Sequence, residues 1–219
     1  MAFYRQKEKT ELEVDHVKVK EMQTHDAANP LKGLVEARKA GGEKGLPPVH
    51  LWNPELCGDI DMRIARDGTW FYLGSPIGRK ELVRLFSSVL RHDDDGVHYL
   101  VTPVEKCIVK VEDAPFLAVR MYVEGTGAEQ IIRFETSVDD EVTVDDEHPL
   151  RFETEEGTDG LKPYVLVRAR LEALVNRALF YDLVALGMVE AHEGDDWFGV
   201  WSSGRFWPMA LAAEIGVSD

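Results

Sequence analysis

This 219-residue chain is short of several things at once. Its two cysteines, Cys57 and Cys107, are too few by themselves for a disulfide framework or a four-thiolate metal site. They are expected as reduced, buried, small apolar side chains. Long apolar runs are missing, because stretches such as residues 116–119 and 210–213 fall far short of the roughly 20 residues a membrane span needs. Residues 1–20 are charged throughout and lack the apolar core of a secretory signal, so a cytoplasmic location is the default expectation. Bases are scarce and dispersed. Lys and Arg number 25 against 40 Asp and Glu, for a net charge of −15 and a pI near 4.9. Phosphate backbones and anionic membranes repel such a surface, which argues against nucleic acid or membrane as a main partner.

The common enzyme signatures are also absent. There is no GxxxxGK[ST] phosphate loop, no GxGxxG after a strand, no GxSxG elbow and no HExxH. Ser202-Ser203-Gly204 reads as a hairpin turn rather than part of a nucleophile elbow. Acids cluster at 93–95, 139–141 and 145–147, beside His92 and His148, without the spacing of a calcium loop. They read as solvated turns. No metal or cofactor is expected.

What is present is an ordinary globular composition, 44% apolar and 30% charged, enough for one sizeable core or two small ones. Residues 1 to about 28 read as a loosely held arm. Asn29-Pro30 then suits a helix entry, with Leu31, Leu34, Val35 and Arg38 at helical spacing and Gly41-Gly42 as its end. From about residue 49 the pattern turns to strands. Ile60, Met62 and Ile64 alternate with polar neighbours, Asp67-Gly68 supplies a hairpin turn, and residues 70–73 return. A helix fits residues 79–90, and strands fit 97–101, 107–111, 116–123 and 130–136. In the second half, 150–153 and 164–167 read as strands. A helix follows with Leu171, Leu174, Val175, Ala178 and Leu179 on its inner face. The aromatic strand 197–201 and Phe206 close the chain.

Strand, turn, strand, helix, turn and strand are thus used twice, and superposing Gly68 on Gly160 gives an offset of 92. The expected class is α+β, with two curved, mainly antiparallel sheets, each with a packed helix, related by an internal repeat. The expected division is an N-terminal arm and helix at 1–45, a first unit at 46–136 and a second at 137–219.

The densest polar and aromatic segment is 51–79. On its first strand Asp59, Asp61 and Arg63 share one face, opposite Ile60, Met62 and Ile64. Trp70 and Tyr72 share a face of the return strand, and Arg79 stands at the helix entry. One interpretation is internal: Asp61 pairs with Arg63 and Trp70 covers the core. The other is a ligand surface in which Arg63 and Arg79 hold an anionic group and Trp70 and Tyr72 supply apolar area. Pro103 implies an edge or bulge that could aim Thr102 and Glu105 into the same concavity. A third cluster, Trp197, Phe198, Trp201, Phe206 and Trp207, reads mostly as core, or otherwise as a platform for a partner.

The motifs W-N-P (52–54), C-G-D-I-D-M-R-I (57–64), D-G-T-W-F-Y-x-G-S-P-I-G-R (67–79) and T-P-V-E-K (102–106), with V-W-S-S-G-R-F (200–206), resemble the proteobacterial domain of unknown function twelve-eighty-five. The resemblance spans about 46–209 and implies a two-domain α+β protein with a repeated motif. It supplies no reaction and no catalytic residues, and it implies at most ligand sensing or signal transduction. The expected function is therefore a cytoplasmic, non-enzymatic protein that binds a small anionic ligand or a protein partner. Its expected site is Arg63, Trp70, Tyr72, Arg79, Thr102 and Glu105. The alternatives are a hydrolase using Asp59, Asp61 or Glu105, and an interaction module built on the C-terminal aromatics.

Overall fold

Burial at every second residue marks Ile60, Met62 and Ile64 and recurs in several later strands. In the computed structural model, which describes residues 33–41, 45–155, 157–158 and 160–216, fifteen strands form three sheets among four α-helices and two short 3-10 turns. The helix expected from Asn29-Pro30 is described as α1 (Leu34–Ala40), and Gly41 closes it with its backbone N–H on the Ala37 carbonyl. Asn29, Pro30, Leu31, Gly42 and the arm lie outside the described residues.

The first sheet contains β1 (Leu56–Ile64), β2 (Trp70–Tyr72), β3 (Ser75–Pro76), β4 (Leu90–His92), β5 (His98–Val101) and β6 (Lys106–Val111), in the order β3-β2-β1-β6-β5-β4. Helix α2 (Lys80–Ser88) sits between β3 and β4. The second sheet holds β7 (Phe116–Glu124), β8 (Ile131–Thr136), β9 (Glu141–Thr143), β10 (Leu150–Thr154), β11 (Leu161–Arg168) and β12 (Leu171–Val175), in the order β10-β11-β12-β7-β8-β9. Helix α3 (Arg177–Ala185) leads to β13 (Met188–His192), β14 (Asp195–Ser202) and β15 (Arg205–Leu211), a three-stranded antiparallel sheet ended by α4 (Ala212–Ile215).

The two large sheets share one topology. In each, a first meander starts at the centre and runs outward, and a second starts at the edge and runs inward. The two central strands, β1 with β6 and β7 with β12, pair in parallel while the other pairs are antiparallel. An internal repeat therefore exists, but its offset is 60–66 residues between equivalent strand starts, not 92. The offset of 92 set Leu82 and Val83 of α2 against Leu174 and Val175, which belong to strand β12. The expected inner-face helix through Leu171 is likewise a strand. Leu171, Ala173 and Val175 are buried at period two, and Asn176 caps the helix that follows by accepting from Leu179 N–H at 3.0 Å. The sheets divide between residues 111 and 116, so β7 and β8 join the second sheet rather than a first unit reaching residue 136. A helix packed on each sheet is not the repeating unit either, since β9 runs to β10 without one.

One continuous buried cluster runs from Leu34 to Met209 through all three sheets. The hairpin at Asp67-Gly68 meets the second sheet, where a Cβ on Gly68 would lie 3.4 Å from Leu117 Cβ. Arg168 pairs with Asp140, stands over the Phe116 ring and donates to the Ser87 carbonyl at 2.9 Å, which ties α2 to the second half.

The cysteines correct the sequence expectation. Cys57 and Cys107, 50 positions apart in sequence, are joined as a disulfide across β1 and β6, with Cα atoms 5.3 Å apart. Their pairing removes the cysteine support for a reducing, cytoplasmic setting. No described helix is long and apolar enough to cross a membrane.

Candidate functional site

The six residues singled out from sequence do not converge on one cavity. Trp70 is 2% exposed and stacks on Phe86 in the core, so it offers no surface to a ligand. Arg63 lies over the Phe71 ring and pairs with Glu112, not with Asp61. Tyr72 is half-buried on β2, where burial first and then the charge of Asp61 raise its pKa. Arg79 is exposed at the N-cap of α2. Thr102 is buried and closes the β5–β6 turn, its Oγ1 accepting from Glu105 N–H at 3.2 Å while its own N–H donates to the Glu105 carbonyl. Glu105 sits beside the disulfide. None of the six lines either of the two cavities described next.

Of the carboxylates of the hydrolase alternative, Asp59 and Asp61 are exposed and Glu105 is half-buried, and Asp59 is held below the usual range by a hydrogen bond from Lys110 and from the Asp61 backbone. The C-terminal aromatics are largely interior. Trp207 is 3% exposed, and Trp201 donates Nε1–H to Glu190 at 3.1 Å.

The cavities lie elsewhere. The smaller, about 220 Å³, opens between the two large sheets. His92 and His98 come from β4 and β5, Asp113 from the link after β6, and Arg151, Glu153, Tyr164 and Glu172 from β10, β11 and β12. The larger and more open one, about 520 Å³, shares His92 and adds His50, Trp52, Asn53 and Arg91 to the acidic turn at 93–95.

The strands place these side chains for simple reasons. His92 and His98 flank the turn at Asp93–Gly96 as a cross-strand pair, which brings their rings to 4.2 Å and nearly parallel. Arg151 and Glu172 project from the two outer strands of one meander. Arg151 spans β11 between them, its Cζ 4.3 Å from the Tyr164 ring centroid. Its Nε–H and Nη2–H donate to the two Glu172 oxygens at 2.6 and 2.5 Å, and Nη1–H donates to Glu153. Tyr164 O–H donates to Asp113 at 2.7 Å, and Lys162 pairs with the same carboxylate at 2.9 Å. Arg170, at the rim, pairs with Asp94 of the first half.

The surroundings move four of these groups away from their ordinary pKa values. Burial, then the neighbouring His92, pushes His98 down to about 4, so it is neutral at pH 7. Burial alone would raise Asp113. The hydrogen bonds from Tyr164 and Lys162 and the charges of Lys162 and Arg66 outweigh it and hold the group below its usual range. Burial and the bond to Asp113 push Tyr164 up, and Glu172 raises Arg151. In the larger cavity Arg91 is a structural anchor. It grips Asp93 with two bonds and donates to the carbonyls of Val49 and Trp52, which pins the loop carrying W-N-P.

Sequence reasoning missed the cleft because its residues come from five strands and a link. The one local signal was His92 and His98, placed symmetrically about a D-D-D-G turn.

Two family models match the chain: "Domain of unknown function (DUF1285), N-terminal domain" over residues 47–114 and "Protein of unknown function (DUF1285), C-terminal domain" over 115–209. Their boundary falls at the wall of the cleft, between Ala114 and Pro115. A crystal structure of a DUF1285 family protein from Silicibacter pomeroyi DSS-3 is similar at TM-score 0.75 and 50% identity, covering 84% of this chain and 98% of that one. A DUF1285 family protein from Shewanella baltica OS155 matches at TM-score 0.45 and 27% identity, covering 57% of this chain and 91% of that one. No curated protein matches. The chain belongs to the DUF1285 family.

Proposed function

We propose that this DUF1285 protein is a non-enzymatic binding protein with a regulatory role, and that a small polar molecule occupies the cleft between its two large sheets. The carrying observation is the direction of the four pKa displacements. Asp113 and His98 are moved down while Tyr164 and Arg151 are moved up, so all four are driven away from neutrality. A general acid or base works best with its pKa near the operating pH. Groups locked in one state act instead as fixed donors and acceptors. At about 220 Å³ the cleft is smaller than the roughly 300–1,000 Å³ that holds drug-sized ligands. Arginine, histidine and carboxylates together suit a metabolite with both donor and acceptor groups. This moves the expected site from Arg63 and Arg79 to the junction of the two halves.

The test is a thermal-shift screen with nucleotides, organic acids, amino acids and coenzyme A derivatives. Variants Arg151→Met and Tyr164→Phe run beside Arg63→Ala and Arg79→Ala. A ligand at one hundred times its dissociation constant adds about 2.7 kcal/mol of stability. The shift is expected to vanish in the first pair and persist in the second. The reverse pattern would restore the sequence-based site, and no shift with any compound would favour a protein partner.

A further inference from the structure

The chain has two cysteines, and the fold brings both of them to one carboxylate. The sulfur atoms of Cys57 and Cys107 and a carboxylate oxygen of Glu105 all lie within 4.8 Å of one another. We infer that Cys57, Cys107 and Glu105 form a redox-gated site for a thiophilic divalent cation such as Zn²⁺: closed as the disulfide, open to metal as the dithiol.

Local backbone geometry builds the cluster. In the parallel β1–β6 pair Leu56 stands opposite Lys106 and Gly58 opposite Cys107, so Cys57 is the extra residue of a bulge. Gly58 holds φ +98°, a conformation that side-chain-bearing residues rarely adopt, and this re-aims Cys57 at the neighbouring strand. Glu105 ends the tight turn that Thr102 closes, immediately before β6. Bulge and turn thus deliver the three donors from two strands and one loop. Two thiolates and a carboxylate form a set that zinc accepts, with Zn–S near 2.3 Å and Zn–O near 2.0–2.2 Å. Tetrahedral bonds of that length put the sulfurs about 3.8 Å apart, a separation they reach only once the disulfide is reduced. The group has three members among the described residues, which leaves the fourth position to water.

The two states interconvert by balanced chemistry. Cys57 is the more accessible sulfur, since Cys107 is 1% exposed. A thiolate of an external dithiol attacks Cys57 Sγ, and Cys107 leaves as thiolate. The second thiol of the reductant then displaces Cys57, the reductant departs as a cyclic disulfide, and its two protons end on the two cysteines. A divalent cation displaces those protons on binding. The disulfide and the metal-bound dithiolate each join β1 to β6, so the sheet is bridged in both while its chemistry changes.

Co²⁺ serves as the spectroscopic probe. The full chain is reduced with excess dithiol, freed of it under argon and titrated with Co²⁺, then with Zn²⁺. The expected result is one Co²⁺ per chain, with a thiolate charge-transfer band and tetrahedral visible bands that Zn²⁺ abolishes. The oxidised chain should show none. Cys57→Ser and Cys107→Ser should lose the charge-transfer intensity, and Glu105→Gln should weaken binding at least tenfold. Circular dichroism and a thiol count accompany each sample. A reduced, folded chain with two free thiols and no cobalt bands overturns the site, as does a reduced chain that unfolds. Full affinity in Glu105→Gln removes the carboxylate from it.

Discussion

Replacing Ser202 by alanine tests how the third sheet is fastened to the second. Ser202 is fully buried, and its hydroxyl accepts from Ile132 N–H at 2.9 Å and donates to the Val144 carbonyl at 2.7 Å. Ile132 and Val144 are themselves fully buried, so water cannot replace what the hydroxyl supplies. The two ends of this bridge are not equally vulnerable. Ser203 Oγ also donates to the Val144 carbonyl at 2.9 Å, so that oxygen keeps a partner when Ser202 is truncated. The Ile132 amide loses its side-chain partner. An orphaned buried donor costs about 1–3 kcal/mol, which sets the expected loss for Ser202→Ala.

Ser203→Ala alone should cost no more than about 0.5 kcal/mol, because Ser202 still satisfies Val144. In the double variant the Val144 carbonyl loses both donors. Its cost should then exceed the sum of the single losses by about 1 kcal/mol or more. Urea unfolding of the four proteins of the cycle measures these terms, and melting temperatures should fall by roughly 2–4 °C per kcal/mol for a chain of this size. Strict additivity, or a Ser202→Ala loss below about 0.5 kcal/mol, would refute the bridge as a shared, load-sharing contact.

Two further outcomes follow from the site and the core. His98 titrates near 4 when folded, against 6.5 for an unperturbed histidine, so the unfolded chain binds the extra proton between those values. The stability His98 contributes is full above pH 6.5 and is lost as pH falls toward 4. Histidine proton resonances should show this, and urea midpoints of His98→Gln should fall less steeply than wild type across the same window. A His98 that titrates at its ordinary value would show the ring to be solvated. Trp70→Ala should destabilise by about 3–5 kcal/mol, as for other large core truncations. Trp70→Phe should keep any ligand-induced thermal shift, and a shift lost in that variant would put Trp70 at the binding surface after all.

Period-two strands were the most legible part of the sequence. Ile60, Met62 and Ile64 alternate in the sequence and alternate in burial, and the turns at Asp67-Gly68, Asp93–Gly96 and Ser203-Gly204 all form. Segment 171–179 failed because its apolar residues satisfy two periods at once. Leu171, Leu174, Val175, Ala178 and Leu179 fit a helix, yet Leu171, Ala173 and Val175 fit a strand, and pairing with β7 decides between them. The repeat was sensed but misregistered. What recurs is the order of strands rather than residue identity, and α2 interrupts only the first copy. The disulfide was out of reach for a different reason. Its partners are 50 residues apart, and their meeting depends on a one-residue bulge that the apolar pattern does not encode.

The motifs that stood out in the sequence mostly mark joints. W-N-P is pinned by Arg91, D-G touches the second sheet through Leu117, and T-P-V-E-K closes a turn beside the disulfide. V-W-S-S-G-R-F carries the Ser202 bridge, and Gln130 reinforces it by donating to the Trp201 carbonyl and accepting from Ser203 N–H. A joint requires particular residues at particular turns, so it leaves a conspicuous string. A cleft between two sheets needs only that its side chains reach the same space, and each of them arrives from a different strand. Arg63 and Arg66 belong to the joints as well, through Glu112 and Asp113. Asp113 is where the two roles meet, because the carboxylate that Arg66 and Lys162 hold in the joint also receives the Tyr164 hydroxyl at the cleft wall. Asp113 thus joins the link between the halves to the cleft wall, and a ligand bound across the cleft would act on the same contacts that connect the halves.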